Sequence, residues 1–86
     1  MDEITVTVRY FAAVCEALGE GEALRVPAGL TVAALRGHLA ARSAAHAQAL
    51  GAGQALRVAV DQQLADEAAV LPADAEVAFF PPVTGG

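Results

Sequence analysis

Pro81-Pro82-Val83-Thr84-Gly85-Gly86 closes the sequence, and the α-carboxylate of Gly86 is its clearest chemical group. Two prolines fix φ near −65° and favour an extended polyproline path. The segment is therefore expected to project from the domain. Six extended residues reach about 20 Å at roughly 3.3 Å each. Gly85 and Gly86 lack side chains and fit a passage too narrow for any other residue. A thin arm with a carboxylate at its tip suits delivery of that group into another protein's active site. Gly86 is thus the candidate reactive residue, and Pro81, Pro82, Val83, Thr84 and Gly85 form the candidate insertion segment.

Other residue types that could do chemistry do not assemble into a site. His38 and His46 have no Asp, Cys or second His at ligand spacing, and both read as surface residues. Cys15 falls on the apolar face of a short helix with no local base, which makes it filler and not a nucleophile. Asp61, Asp66, Glu67, Asp74 and Glu76 read as solvated turn residues. No phosphate-binding glycine loop, Ser-His-Asp set or metal signature occurs. No metal and no tightly bound cofactor is expected, and the chain has no catalytic apparatus of its own.

The composition narrows the remaining classes. Eighty-six residues make one domain with a single core. The 56% hydrophobic content is inflated by alanine, and no stretch approaches the roughly 20 apolar residues of a spanning helix. Met1-Asp2-Glu3 lacks the basic start of a signal peptide, so a cytoplasmic location is expected. A net charge of −5 argues against nucleic acid. The five basic residues are all arginine, so the chain has no lysine to accept a modifier or form a Schiff base.

The arm needs an anchor, and the hydrophobic pattern supplies one. Ile4 to Tyr10 alternates with period two, as a half-buried strand does. Phe11 to Leu18 reads as a short helix with Phe11, Val14, Cys15 and Leu18 on one face, ended by Gly19. Ala23–Val26 is a second strand, antiparallel to the first and stopped by Pro27. Thr31 is the expected N-cap of the main helix, Val32 to about Arg42, with Val32, Leu35 and Leu39 inward. The stretch from Ser43 to Gly53 is ambiguous, with room for a short helical turn. Leu56–Val60 is a third strand, Leu64 to Leu71 is irregular or a short edge strand, and Glu76–Phe80 is the last strand. This order fits an α+β, β-grasp domain over 1–80, a mixed sheet packed on one main helix, followed by a flexible tail over 81–86.

Period-two reading also divides the sheet. Leu24, Val26, Leu56, Val58, Val60, Val77 and Phe79 go inside, whereas Arg9, Arg25, Arg57, Ala59, Ala78 and Phe80 stay outside. An aromatic among arginines beside the root of the arm has the composition of an interface.

Phe11-Ala12-Ala13-Val14-Cys15-Glu16-Ala17-Leu18-Gly19 and the run from Asp74 to Gly86, above all Phe-Phe-Pro-Pro-Val-Thr-Gly-Gly, resemble the small subunit of molybdopterin synthase, the MoaD family. The likeness spans nearly the whole chain. Cys15 and Asp61 depart from the family pattern, where Arg and Asn are expected. The resemblance implies a ubiquitin-like sulfur carrier, a non-catalytic subunit of a sulfurtransferase. The Gly86 carboxylate, ionised at pH 7 with an α-carboxyl pKa of about 3.3–3.7, would be adenylated with ATP by an E1-like partner of MoeB type. A sulfur donor protein would then convert it to a thiocarboxylate. The charged tail would enter a large subunit of MoaE type and give its sulfur to cyclic pyranopterin monophosphate, in a heterotetramer with small subunits at both ends. Leu64 and Phe80 would be apolar partner contacts. Two other readings stay open: a sulfur carrier for thiamine or cysteine synthesis, and a ubiquitin-like modifier joined to lysines.

Overall fold

The computed structural model describes residues 2–51 and 53–82. Strand β1 (Glu3–Tyr10) pairs antiparallel with β2 (Gly21–Pro27), placing Val6 opposite Leu24. It pairs parallel with β5 (Glu76–Phe80), placing Tyr10 beside Phe79. On the other side of β5 runs β3 (Arg57–Val60), antiparallel, and the short β4 (Gln63–Ala65) closes the edge. The sheet order is β2-β1-β5-β3-β4, so the strand that leads into the tail is central. Three helices, α1 (Ala13–Leu18), α2 (Val32–Ala40) and α3 (Ala44–Leu50), complete the described residues.

The alternation of β1 produces the expected division: Val6, Val8 and Tyr10 are buried while Thr7 and Arg9 face out. Val77 and Phe79 of β5 and Val32, Leu35 and Leu39 of α2 meet them in one core. Full burial of each such side chain contributes about 1.5–3 kcal/mol. Thr31 caps α2, its Oγ1 accepting from the Ala34 amide at 3.2 Å. The loop after β4 satisfies two more first-turn donors: Val32 donates to the Ala69 carbonyl at 3.0 Å and Ala33 to that of Glu67 at 2.9 Å.

Two helix boundaries are revised, and an ambiguous stretch and a buried arginine find their places. The first helix begins at Ala13, not Phe11, and Phe11 is 43% exposed. The cause lies in the backbone: Phe11 donates to the Phe79 carbonyl at 3.2 Å and so prolongs the sheet, and Ala12 turns the chain at φ 54°. The main helix ends at Ala40, and the ambiguous stretch holds α3, capped by Ser43 Oγ accepting from the His46 amide. Arg36, to which the sequence reading assigned no face, is buried. Its Nε donates to the Leu50 carbonyl at 2.7 Å, and its Nη2 to those of Gly51 at 2.9 Å and Gln54 at 2.7 Å. It thereby satisfies the Leu50 carbonyl that the end of α3 leaves without an intrahelical partner and ties down the loop that follows.

Several acidic residues prove to be structural. Glu67 pairs with Arg36 at 3.1 Å. Asp61 and Gln62 form a two-residue hairpin turn with φ of 51° and 70°, the left-handed values that such turns require. Asp61 Oδ1 accepts from the Glu76 amide at 2.9 Å, tying the turn to β5.

Candidate functional site

Register builds a surface on the sheet face away from the helices. Arg9 lies beside Ala78, Ala78 beside Ala59 and Ala59 beside Leu64, one row crossing four strands. Partnered positions put their side chains on the same face. One step nearer the tail, Phe80 lies opposite Arg57 on that face. Phe80 and Leu64 are about 12 Å apart, two strand spacings across and two residues along. Of β3, Ala59 adjoins Leu64 and Arg57 adjoins Phe80, so the apolar surface runs from Phe80 over Ala78 and Ala59 to Leu64 with Arg57 at its edge. Leu64 is 70% exposed, a large hydrophobe on an edge strand with no cover.

Cations flank this strip unevenly. Arg9 sits 5.7 Å from the centre of the Phe11 ring and 3.7 Å from the Glu76 carboxylate. Both partners are exposed, so that pair contributes at most about 1 kcal/mol. Arg57 is exposed and makes no ion pair among the described residues. Arg25 is elsewhere: it lies opposite Thr5 and binds Glu3 at 3.2 Å. Four residues of β1 separate it from the Arg9 row, about 13 Å. It does not belong to the surface beside the tail root, because the expectation fixed its face but not its position along the strand.

At the end of β5, Pro81 and Pro82 are half-buried against the body. Pro81 lines an apolar groove of about 370 Å³ together with Ala13, Val14 and Ala17 of α1, Ala45 and Ala49 of α3, and Leu56. The root of the arm, as far as Pro82, therefore lies between the open strip and this groove. Val83, Thr84, Gly85 and Gly86 lie outside the described residues. The remaining candidates stay apart from this region: His38 is exposed, His46 bonds Ser43 at 2.8 Å, and Cys15 packs against the core.

The sequence from residue 8 to residue 86 matches the model of the ThiS family. The chain belongs to the ThiS family. This is a family of small ubiquitin-like sulfur carriers, and its match runs through the terminal Gly85-Gly86. No curated protein matches the chain. Among solved structures, it is similar to the HVO 2177 protein of Haloferax volcanii, with 24% identity, 98% of this chain and 88% of that one covered, and a TM-score of 0.76. It is similar to SAMP1 of the same organism, with 26% identity, 95% and 99% coverage and a TM-score of 0.69. A protein of Pyrococcus furiosus provisionally described as molybdopterin converting factor, subunit 1, shares 22% identity over 93% and 99% of the chains with a TM-score of 0.77. These likenesses establish the β-grasp fold expected from the element order.

Within this ThiS-family chain, sequence reading overlooked Arg36. A signal was present: Val32, Leu35, Arg36 and Leu39 sit at i, i+3, i+4 and i+7, so the arginine occupies the apolar stripe. Leu64, named from the family resemblance and not from spacing, is placed on this strip by register. A three-residue strand has too little alternation to reveal which face it serves.

Proposed function

We propose that this chain is a sulfur carrier whose Gly86 carboxylate is adenylated by an E1-like enzyme, converted to a thiocarboxylate, and inserted into a partner that takes the sulfur. The observation that carries the reading is the family match extending through the Gly-Gly end, on a tail that follows the central strand of the sheet. Chemistry supports it: a carboxylate is a poor acyl donor, and adenylation from ATP gives its carbonyl a leaving group, AMP, before sulfur attacks. The Phe80-Pro81-Pro82 lead-in and its likeness to the MoaD pattern favour cyclic pyranopterin monophosphate as the sulfur acceptor and a large subunit of MoaE type as the catalytic partner. The chain then acts as a charged co-substrate and supplies no catalytic side chain. Leu64, Phe80, Arg9 and Arg57 form the contact surface that holds it while the tail is engaged.

A second reading has one observation in its favour. The similarity to SAMP1, a small archaeal modifier protein, at 26% identity supports a modifier whose tail ends in bonds to lysines. Both readings begin with the same adenylate. Intact mass of the protein isolated from its own cells without reductants separates them. A species in which one oxygen is exchanged for sulfur, absent when Gly86 is deleted, is the expected result. Conjugates of higher mass with no thiocarboxylate would overturn the carrier reading. Supplying the thiocarboxylate to a MoaE-type subunit with cyclic pyranopterin monophosphate tests the pathway: dithiolene formation is expected, and its absence refutes that assignment.

A further inference from the structure

Strand β2 is the outermost strand on one side of the sheet and pairs only with β1. We infer that its free edge is a second docking site, which takes an extended segment of a partner protein by strand addition. The segment carries apolar residues along its middle and a cationic residue at each end. This inference goes beyond the sulfur-carrier reading and does not depend on it.

The alternation of the ladder fixes which backbone groups are free. Tyr10 donates to the Glu20 carbonyl at 3.0 Å and Ala28 to that of Asp2 at 3.1 Å, just outside the two ends of β2. Bonded and unbonded pairs alternate in an antiparallel ladder, and the register between these points is unbroken, so Glu22, Leu24 and Val26 bond to β1. Ala23 and Arg25 therefore turn their N–H and C=O groups outward. None of these four groups has a backbone partner among the described residues. Pro27, without an N–H, ends the row. Nor does Arg25 cover the edge: its guanidinium is held at 3.2 Å by Glu3 of β1, inward from β2. The opposite edge, β4, is only three residues long.

The flanks of the edge select its occupant. On the helix side Leu24 is half-buried and Val26 buried, apolar neighbours for alternate residues of an added strand. At one end Glu20 is exposed and lines a concavity of about 290 Å³ with Gly21 and Glu22. At the other, Asp2 is exposed and lines one of about 440 Å³ with Glu3 and Pro27. Neither Glu20 nor Asp2 has an ion pair among the described residues, whereas Arg25, the one cation of β2, is neutralised by Glu3. The edge is thus negative at both ends, in a chain of net charge −5. It complements cations about eight residues apart, roughly 26 Å of extended chain. A second copy fits badly. The antiparallel register that joins Ala23 to Arg25 across two copies sets Glu20 next to the second copy's Asp2, like charge against like. Phe80 lies on β5, two strands or about 10 Å from this edge, so a partner held here leaves the strip from Phe80 to Leu64 open.

The probe is a peptide capped at both ends, Arg-Ser-Val-Thr-Val-Thr-Val-Ser-Arg, titrated into the isotope-labelled full chain up to about 1 mM, the range of weak single-segment contacts. Amide signals of β2 are expected to shift. Deuterium exchange at Ala23 and Arg25 is expected to slow about tenfold once free peptide stands at ten times its Kd. The same peptide with Glu in place of both Arg is expected to bind at least about fourfold more weakly, from two exposed pairs at roughly twofold or more each. Glu20→Gln is expected to weaken the Arg peptide about 2–5-fold. Ala23→Pro, which removes an outward N–H that the sheet does not use, is expected to weaken it at least about tenfold. Where Ala23→Pro does not fold, exchange at the native Ala23 and Arg25 amides carries the test. Shifts confined to the strip around Leu64, unslowed exchange at Ala23 and Arg25, or equal binding of the Arg and Glu peptides overturns the inference. A dimer of the native chain without peptide, with those two amides protected, overturns it in favour of a second copy.

Discussion

Replacing Arg36 by alanine removes a cation that no other residue can substitute. Its guanidinium bonds the carbonyls of Leu50, Gly51 and Gln54 and the carboxylate of Glu67. A hydrogen bond from a charged group is worth about 1.5–3 kcal/mol, and the contributions do not add in full. Gln54 is exposed and Gly51 half-buried, so water recovers much of what those carbonyls lose. Leu50 is fully buried, and its carbonyl bears the main penalty. The Glu67 carboxylate is about half exposed, which limits its pairing to about 1 kcal/mol. The sum is a loss of about 3–4 kcal/mol, against about 4–13 kcal/mol for a domain of 86 residues. Urea unfolding followed by circular dichroism reads this as a midpoint lower by about 2–3 M, with a slope near 1.3 kcal/mol/M. Glu67→Gln should lose less than about 1 kcal/mol. Arg36→Lys, which retains the charge but not the fork, should fall between them and serves where the alanine variant does not fold. A loss below about 1 kcal/mol for Arg36→Ala, or an equal loss for Glu67→Gln, refutes the assignment of the energy to the carbonyls.

Leu64→Ala should leave the unfolding midpoint nearly unchanged, since the side chain is 70% exposed. Its affinity for a MoaE-type or E1-like partner, measured by calorimetry, should fall roughly 5–30-fold, from about 1–2 kcal/mol of lost apolar burial; unaltered affinity for both removes Leu64 from the contact surface. Tyr10 is the only tyrosine of a tryptophan-free chain, so its ultraviolet titration has one assignment. Burial, then the nearby Glu22 carboxylate, raises its pKa, with Arg42 opposing. For an acid whose folded pKa is raised, the stabilisation is complete below the unfolded value of about 10 and is lost as pH climbs through the folded one. Tyrosinate of the folded protein should therefore appear only above about pH 10, with stability falling as it forms, and a midpoint at or below 10 in the folded protein contradicts this.

How far the sequence speaks for the structure depends on how many residues share a signal. The strands over Ile4–Tyr10 and Glu76–Phe80 were legible because several alternating positions agree and burial follows the alternation. Thr31 was legible because a cap is a local bond between a side chain and a nearby amide. The helix over Ala44–Leu50 was not, since alanine at most of its positions gives no amphipathic contrast. Phe11 misled for a related reason: helical spacing holds from Phe11 to Leu18, but a sheet bond from Phe11 to Phe79 outweighs it. At the candidate site, faces followed from period two while neighbourhoods did not. Arg25 and Arg57 share a face, yet only the pairing of whole strands places one by Glu3 and the other by Phe80.

Under the proposed function, the central position of β5 would let the tail be delivered accurately. Its residues alternate between the two tasks: Val77 and Phe79 are buried in the core, and Ala78 and Phe80 face the open strip. Hydrogen-bonded ladders to β1 and β3 hold it on both edges, so moving the root of the tail means breaking both. A partner that grips the strip around Phe80 and Leu64 therefore also fixes where Pro81 begins. From there the reach to Gly86 is set by the covalent chain, about 20 Å when extended. If Gly86 is activated as proposed, its carbonyl would meet a pocket about that far from the contact surface, and one added residue would shift it by about 3.3 Å. Reactions at a carbonyl need their groups aligned to well within that distance. The strip can then remain intact, and binding with it, while a tail one residue too long loses sulfur transfer.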